Sequence, residues 1–393
     1  MSRTIAVGID IGTFQTRVVA AESAREGERE LPRVIGVGFA ESRGLRHGHI
    51  LNQGDAVKSV KRALLQASKA AGVPIKRAIA SIGGIGLGSI VSSGAVVISR
   101  ADSEITELDI NKAVEVSRQE IPASFAQNRS ILHTIPLLFK VDGRTVLGKP
   151  DSLKGSKLEV KTLLITCFEN HVNDLLETLG EAGIEVEDLV AAPLSASLVT
   201  LTRQQKMAGV VLANIGSETV SIVVFENNVP ISLEVFPIGS NDITNDIALG
   251  LRVPLEEAEN IKRGSISGGT YPRKKLEEVI EARLSDIFEL IEAHLKKLGR
   301  SGLLPAGIVL TGGGSAIDTV GDLAKSALRL PSRVASISFG DNIRGQIRDA
   351  SWSVAYGLCV IGLEHGEEET ITGLKLVRKT RNGLMNLLRQ FLP

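Results

Sequence analysis

The chain has 393 residues, a length that points to more than one core, and 43 % hydrophobic residues with 40 glycines, which fits an α/β globular protein. Lys plus Arg and Asp plus Glu balance at 45 each, so no global basic field draws the chain to nucleic acid. One tryptophan, Trp352, with two tyrosines and ten phenylalanines leaves few platforms for base stacking, which also speaks against nucleic acid as a partner.

Cys167 and Cys359 are far apart, each within an apolar run, and read as buried cytosolic thiols rather than a disulfide or a metal site. The opening stretch MSRTIAVGID reads as a core strand, and no apolar run approaches the roughly 20 residues of a spanning helix. The expectation is a cytoplasmic protein, unless something anchors it from the surface.

In chain order, Ile5 to Ile9 predicts a buried strand that turns at Asp10-Ile11-Gly12-Thr13 and returns as a second strand from Thr16 to Ala21. A tight turn with glycine and a hydroxyl at its tip aims backbone N–H groups and the Thr13 hydroxyl at one spot, which suits a phosphate. Asp10 at its edge could hold magnesium through water. Taken alone, DIGT is equally a plain hairpin turn. A third strand follows from Arg33 to Glu41, after a charged loop at residues 22 to 32.

DAVKSVKRALLQASKAA, from Asp55 to Ala71, puts Val57, Val60, Leu64 and Leu65 on one helical face and stops at Gly72 and Pro74. Arg77 to Ile82 returns as a strand. Residues 84 to about 160 then read as an insertion. They carry a strand from Ser89 to Ser99, a helix from Thr106 to Arg118 capped by Thr106, a strand over 131 to 143, and a strand from Lys157 to Cys167. His133 in the third of these elements reads as a packed or edge-strand histidine rather than a ligand. A helix over 169 to 182, a strand from Val186 to Ala191 and a helix start at PLSASLVTLT (193 to 202) complete the first half.

Residues 210 to 224, VVLANIGSETVSIVV, repeat the opening pattern. Asn214 falls where Asp10 was, Gly216 on Gly12, Ser217 on Thr13. A third apolar strand from Pro230 to Pro237 and a helical stretch from near Asn241 extend the duplication, and an internal repeat fixes architecture. Two similar halves, each opening with a hairpin aimed at the same phosphates, make a clamp around a nucleotide.

EEAENIKRGSI (256 to 266) is helical. Arg273 to Leu298 is a long core helix bridging two lobes. GIVLTGGGSAI (307 to 317) gives a strand, three glycines and a helix start at Ser315, so Gly312, Gly313 and Gly314 let the backbone approach a flat ligand. Residues 350 to 363 form a further apolar helix.

EHGEEET, from Glu364 to Thr370, reads as a linker. The last segment, GLKLVRKTRNGLMNLLRQFLP, holds Lys375, Arg378, Lys379, Arg381 and Arg389 and no acid. Leu384, Leu387, Leu388 and Phe391 recur at helical spacing, with Met385 and Leu392 widening the stripe. The polar linker and basic cluster before it favour a helix lying in the plane of an anionic bilayer, its cations on the headgroups, over a terminal helix docked on the protein's own core. Single copies bind reversibly, and copies on a filament hold better.

The paired turns together with GIVLTGGGSAI resemble the actin, sugar-kinase and heat-shock-chaperone ATPase superfamily. Within it the whole chain is similar to the FtsA family of actin-like bacterial cell-division proteins, in which an α+β subdomain is inserted at the corresponding place; ILHTIPLLFKVDGR resembles a signature of that subdomain.

The resemblance implies an α/β, duplicated actin-like fold. Its first-half core is 1–83 with 161–192, and its inserted subdomain 84–160 makes polymer or partner contacts. Its second-half core is 193–240 with 305–363, and its outer lobe is 241–304. A linker over 364–380 and an amphipathic membrane helix over 381–393 follow. The helices at 193–202 and 350–363 become the two hinge connections, where Ser195 and Ser197 could polarise water, although hinge packing is the better reading.

The cofactors implied are ATP and Mg. Nucleotide contacts fall on Asp10, Gly12, Thr13, Gln15, Asn214, Gly216, Ser217, Glu218, Thr219 and Gly312 to Gly314. Glu259 and Lys262 reach ribose and adenine, and Arg263 stacks beside them; an i, i+3 Glu–Lys pair is equally a surface ion pair. The implied partners are the FtsZ C-terminal tail on the outer lobe, other copies of the chain in a filament, other division proteins and the anionic membrane surface. The implied location is the cytoplasmic face of the inner membrane at the division septum.

The second turn departs from the family pattern, with Asn214 in place of an aspartate and Glu218 adding charge near the phosphates, so ATP binding with slow or negligible hydrolysis is expected. A PilM-like protein of type IV pilus assembly shares fold and insertion but does not need the lipid-binding tail. A sugar or acetate kinase would need a catalytic aspartate in the cleft, and none stands out.

Overall fold

The computed structural model describes residues 4–23, 31–264, 271–337 and 349–372, with side chains up to residue 364. Two five-stranded sheets of identical order carry the fold. In the first, Arg33–Glu41, Gln15–Glu22, Ile5–Ile11, Arg77–Ile82 and Glu185–Ala191 lie side by side. In the second, the order is Val229–Phe236, Val220–Glu226, Val210–Ile215, Ile308–Thr311 and Ser332–Val334.

Each begins with an antiparallel hairpin and a third antiparallel strand, then adds two parallel strands on the other side of the first. The central strands are near-continuous runs of Val, Ile, Leu and Ala because both of their faces are covered, as parallel strands require. Repetition of a whole sheet, not only of a turn, is what the duplicated sequence encodes.

Helix Gln53–Ala71 covers the first sheet. Asn52 caps it by accepting from the Asp55 N–H at 3.1 Å, and Gly72 ends it in a left-handed conformation. Its buried face carries Val57, Val60, Ala63, Leu64 and Ala67, whereas Leu65, expected on that face, is exposed. The stripe is narrower than the apolar spacing suggested, because alanines at 63 and 67 let the helix sit close to the sheet.

Helix Arg273–Lys297 packs Leu284, Ile287, Phe288, Ile291 and Leu295 into the second core, touching helices Ser240–Leu251 and Val320–Leu328. The glycine segment continues not into an α-helix at Ser315 but into a 3-10 turn, Gly313–Ala316, and the α-helix starts only at Val320. The tight turn holds the Ser315 hydroxyl on the Gly312 carbonyl at 2.7 Å.

The insertion is an antiparallel sheet in the order Gly88–Val97, Lys157–Phe168, Arg129–Val141 and Arg144–Val146, with helix Glu107–Gln119 on one face. Thr106 and Asp109 cap that helix reciprocally. The helix lies so close that a side chain at Gly94 would strike the Ala113 carbonyl. His133 is buried at the subdomain's base. Its Nε2 accepts the Ala191 N–H at 3.1 Å, and burial pushes its pKa down to about 4.

Helices Ala192–Thr200 and Ser353–Thr372 join the halves and pack on each other. The second runs through Thr372 rather than giving way to a linker at Glu364, since consecutive glutamates are good helix formers. Ser195 and Ser197 are fully buried here and donate to the Val354 and Leu194 carbonyls, each at 2.7 Å, which is hinge packing. Both cysteines are free and buried. The stripe from Arg381 to Leu392, expected to bind lipid, lies outside the described residues, as do residues 373–380 of the expected linker.

Candidate nucleotide cleft

Strand register builds the two turns alike. Ile11 pairs with Thr16, and the Gly12 N–H donates to the Gln15 carbonyl at 3.2 Å; Ile215 pairs with Val220, and the Gly216 N–H donates to the Thr219 carbonyl at 2.8 Å. Both turns open into one interlobe cleft of about 1040 Å³, above the usual few hundred and large enough for a nucleoside triphosphate.

Asp10, Gly12, Thr13 and Gln15 line it from the first half, and Asn214, Gly216, Ser217 and Thr219 from the second. Glu259, Lys262, Arg263 and the Gly312–Gly314 strip complete the wall. Glu218 is the exception: its carboxylate accepts the His47 backbone N–H on the opposite half. Glu218 thus directs its carboxylate at that contact between the halves and does not line the cleft.

The three glycines differ in what requires them. Gly312 has φ +86°, and a Cβ there would lie 2.2 Å from Asn214 Oδ1; one on Gly314 would lie 2.3 Å from Ile215 Cγ2. Gly313 meets nothing within 4 Å. Two glycines thus let the strip pass under the second turn, and the third faces open space, the kind of bare backbone that a flat ligand can approach.

Asp10 takes the Ser81 hydroxyl on Oδ1 at 2.6 Å. Burial at the cleft floor raises its pKa, opposed by that hydrogen bond and by the Arg17 guanidinium. A carboxylate with Oδ2 to spare, lining the same cleft as the neutral Asn214, suits a divalent ion held through water at one side only. Among the described residues no group of three or more His, Cys, Asp or Glu could hold a metal ion.

Glu259 and Lys262 form a closed network. Lys262 Nζ donates to Glu259 Oε2 at 2.6 Å, to Thr244 Oγ1 at 2.7 Å and to the Ser240 carbonyl at 3.1 Å, using all three protons. Glu259 also accepts Thr244 Oγ1 and Arg263 Nε, both at 2.7 Å. With no spare proton on Lys262, the open lone pairs of Glu259 are what this pair can offer a ribose hydroxyl. Arg263 lies 5.6 Å over the Phe14 ring, reaching the tip of the first turn from the second half.

Arg17 also belongs to the site, though not among the residues expected there. It lines the cleft, pairs across the hairpin with Asp10, donates to Gln15 Oε1 at 3.0 Å and lies 5.6 Å from the Trp352 ring. Burial lowers its pKa against the pull of Asp10 and Asp349, and Nε has no hydrogen-bond partner. A charge inside the apolar run TRVVAA was the available signal, since arginine is rarely buried unpaired. Ser81, Gly48 and Gly84 were also missed, and nothing local marks them.

Two hairpin turns facing one cleft between sheets of identical order define an actin-like ATPase-type fold. The chain aligns over 92 % of its length, and all of the other chain, with PilM in the PilM-PilN type IV pilus biogenesis complex, at TM-score 0.68 and 18 % identity. MreB5 of Spiroplasma citri bound to ADP aligns over 93 % of this chain and 98 % of that one, at TM-score 0.52 and 14 % identity.

Residues 211–357 match the family profile of cell division protein FtsA, and residues 84–166 that of the SHS2 domain inserted in FtsA. FtsA of Bacillus subtilis is 32 % identical, over 90 % of this chain and 82 % of its own length. FtsA of Pseudomonas aeruginosa is 31 % identical, over 91 % and 89 %, and that of Escherichia coli K12 28 %, over 96 % and 94 %. The chain belongs to the FtsA family of cell-division proteins.

Proposed function

We propose that the protein is an ATP-binding, actin-like division scaffold that polymerises and tethers FtsZ filaments to the inner face of the cytoplasmic membrane at the septum. The observation that carries the nucleotide part is the convergence of both phosphate turns and the glycine strip on one cleft. Asp10, Gly12, Thr13 and Gln15 would face the phosphates with Asn214, Gly216, Ser217 and Thr219. Glu259, Arg263 and Gly312–Gly314 would hold the nucleoside, and Mg would sit by Asp10. In this reading residues 84–160 serve filament or partner contacts, and residues 241–304 receive the FtsZ tail. Other division proteins would dock on the same scaffold.

Among the described residues no helix is long and apolar enough to cross a membrane. The anchor in this reading is the basic amphipathic stretch Arg381–Leu392, with Leu384, Met385, Leu387, Leu388 and Phe391 in the acyl boundary and Arg389 on headgroups. Its test is co-sedimentation of the full chain with anionic liposomes and ATP, beside a chain ending at Gly373 and one carrying Leu384→Asp and Leu388→Asp. Only the intact chain is expected to pellet with the vesicles and, once pelleted, to bring FtsZ with it. If all three chains stay in solution, membrane tethering is wrong and a pilus-assembly role resembling that of PilM moves ahead.

Turnover should be slow. Asn214 supplies no negative charge to position a metal or activate water, and no carboxylate of the second turn faces the cleft, since Glu218 is bound to His47. Phosphate release is expected to stay close to the no-protein background. Brisk release that is abolished by Asp10→Ala would refute this.

A further inference from the structure

The short hairpin Leu45–Arg46/His49–Ile50 touches three parts of the molecule at once. Its two central residues, His47 and Gly48, have φ of +49° and +86°, the left-handed pair of a tight two-residue turn, which fixes the directions of their peptide groups. The His47 N–H donates to the Glu218 carboxylate, and its Nδ1 lies 3.2 Å from the Glu218 carbonyl, both on the second-half turn. The Gly48 N–H donates to Thr13 Oγ1 at 3.0 Å, on the first-half turn. The His47 carbonyl accepts the Ile85 N–H at 3.1 Å, and His49 Nε2 bonds the Ile85 carbonyl.

Ile85 belongs to the root of the insertion. The segment from Ser81 to Gly88 starts at the hydroxyl on Asp10, lines the cleft at Gly83 and Gly84, and ends in the first insertion strand. The other two long insertion strands are tied to it, Arg129 donating to the Gly86 carbonyl at 2.8 Å and Phe168 packing against Gly86. His171 holds the Gly83 carbonyl at 2.9 Å and stacks 4.3 Å from His49.

This junction has no slack. A Cβ on Gly48 would lie 2.4 Å from Gly84 Cα, and one on Gly84 would lie 2.7 Å from the His47 carbonyl oxygen. Close-packed backbone of this kind transmits a displacement instead of absorbing it. The Glu218 carboxylate meanwhile supplies an anion between the halves without any ligand.

We propose that the Leu45–Ile50 hairpin is a mechanical relay, braced by the Glu218 carboxylate, through which movement of the second-half turn sets the position of the inserted subdomain. The proposal concerns contacts within the chain and stands whether or not ATP is the ligand. Glu218 is thus a positioning residue on the hairpin, held there by its bond to the His47 backbone.

The test is amide hydrogen exchange on the full chain without nucleotide, comparing wild type with Glu218→Ala and Glu218→Gln. In Glu218→Ala, exchange at residues 85–97 and 129–141 should quicken by about tenfold together with the hairpin, because opening of the brace frees the insertion root. Strands Val210–Ile215 and Ile5–Ile11 should keep wild-type protection, which reports that the fold is intact. Glu218→Gln, retaining an acceptor oxygen, should lie between the two. Faster exchange confined to residues 45–50, or insertion protection equal to wild type in both variants, would overturn the relay.

Discussion

Gly313→Leu is expected to leave the melting temperature of the protein unchanged while weakening ATP binding by about 10- to 100-fold, the equivalent of the roughly 1–3 kcal/mol that carbon forced into filled space costs. Three adjacent glycines have different surroundings. Gly313 has no atom within 4 Å of where its Cβ would stand, so a side chain there clashes with nothing in the protein and projects from a wall of the cleft.

Gly312→Leu is the contrasting variant. Its φ of +86° strains any L residue, and its Cβ would collide with Asn214 Oδ1 and the Ile215 carbonyl, so stability should fall together with binding. Titration calorimetry with ATP beside a thermal melt separates the two. Unchanged affinity in a folded Gly313→Leu chain would remove the glycine strip from the binding wall.

Gly357→Val is expected to lower stability by about 3 kcal/mol or more, or to prevent folding, since overpacking against backbone leaves little room to relax. At this position the two connecting helices cross so closely that a Cβ would lie 2.0 Å from the Ser195 carbonyl oxygen and 2.7 Å from its hydroxyl. Neither atom can swing away. The carbonyl belongs to the helix, and the hydroxyl is bound to Val354.

Ser195→Ala, which removes only that hydrogen bond, should cost about 1 kcal/mol and keep the crossing intact. Chemical denaturation of the three proteins, read by intrinsic Trp352 fluorescence, orders them. If Gly357→Val were as stable as Ser195→Ala, the crossing would not be the fixed pivot that the close approach suggests.

The duplication and most of the elements that build it are legible along the chain. Alternation and runs of Val and Ile in IAVGIDI and VVLANI, glycine at the turn tips, and Thr106 three residues before Asp109 act over a few residues, and local chemistry is legible in order along the chain. The same locality made the two turns visible as a pair and the Gly312–Gly314 strip visible as backbone without side chains.

Which polar groups meet is settled by the packed fold instead. From the sequence Glu218 reads as a phosphate neighbour because it sits in a turn expected to face phosphates, yet it bonds a residue 171 positions away. Arg17 and Ser81 reach the same carboxylate, Asp10, from a neighbouring strand on each side. Leu65 met the helical period but missed the buried face, and Lys262 had every proton engaged before any ligand arrived. Such outcomes depend on packing that brings distant segments to within about 3 Å, and hydrogen-bond geometry at that range is fixed by the whole fold rather than by neighbours in the chain.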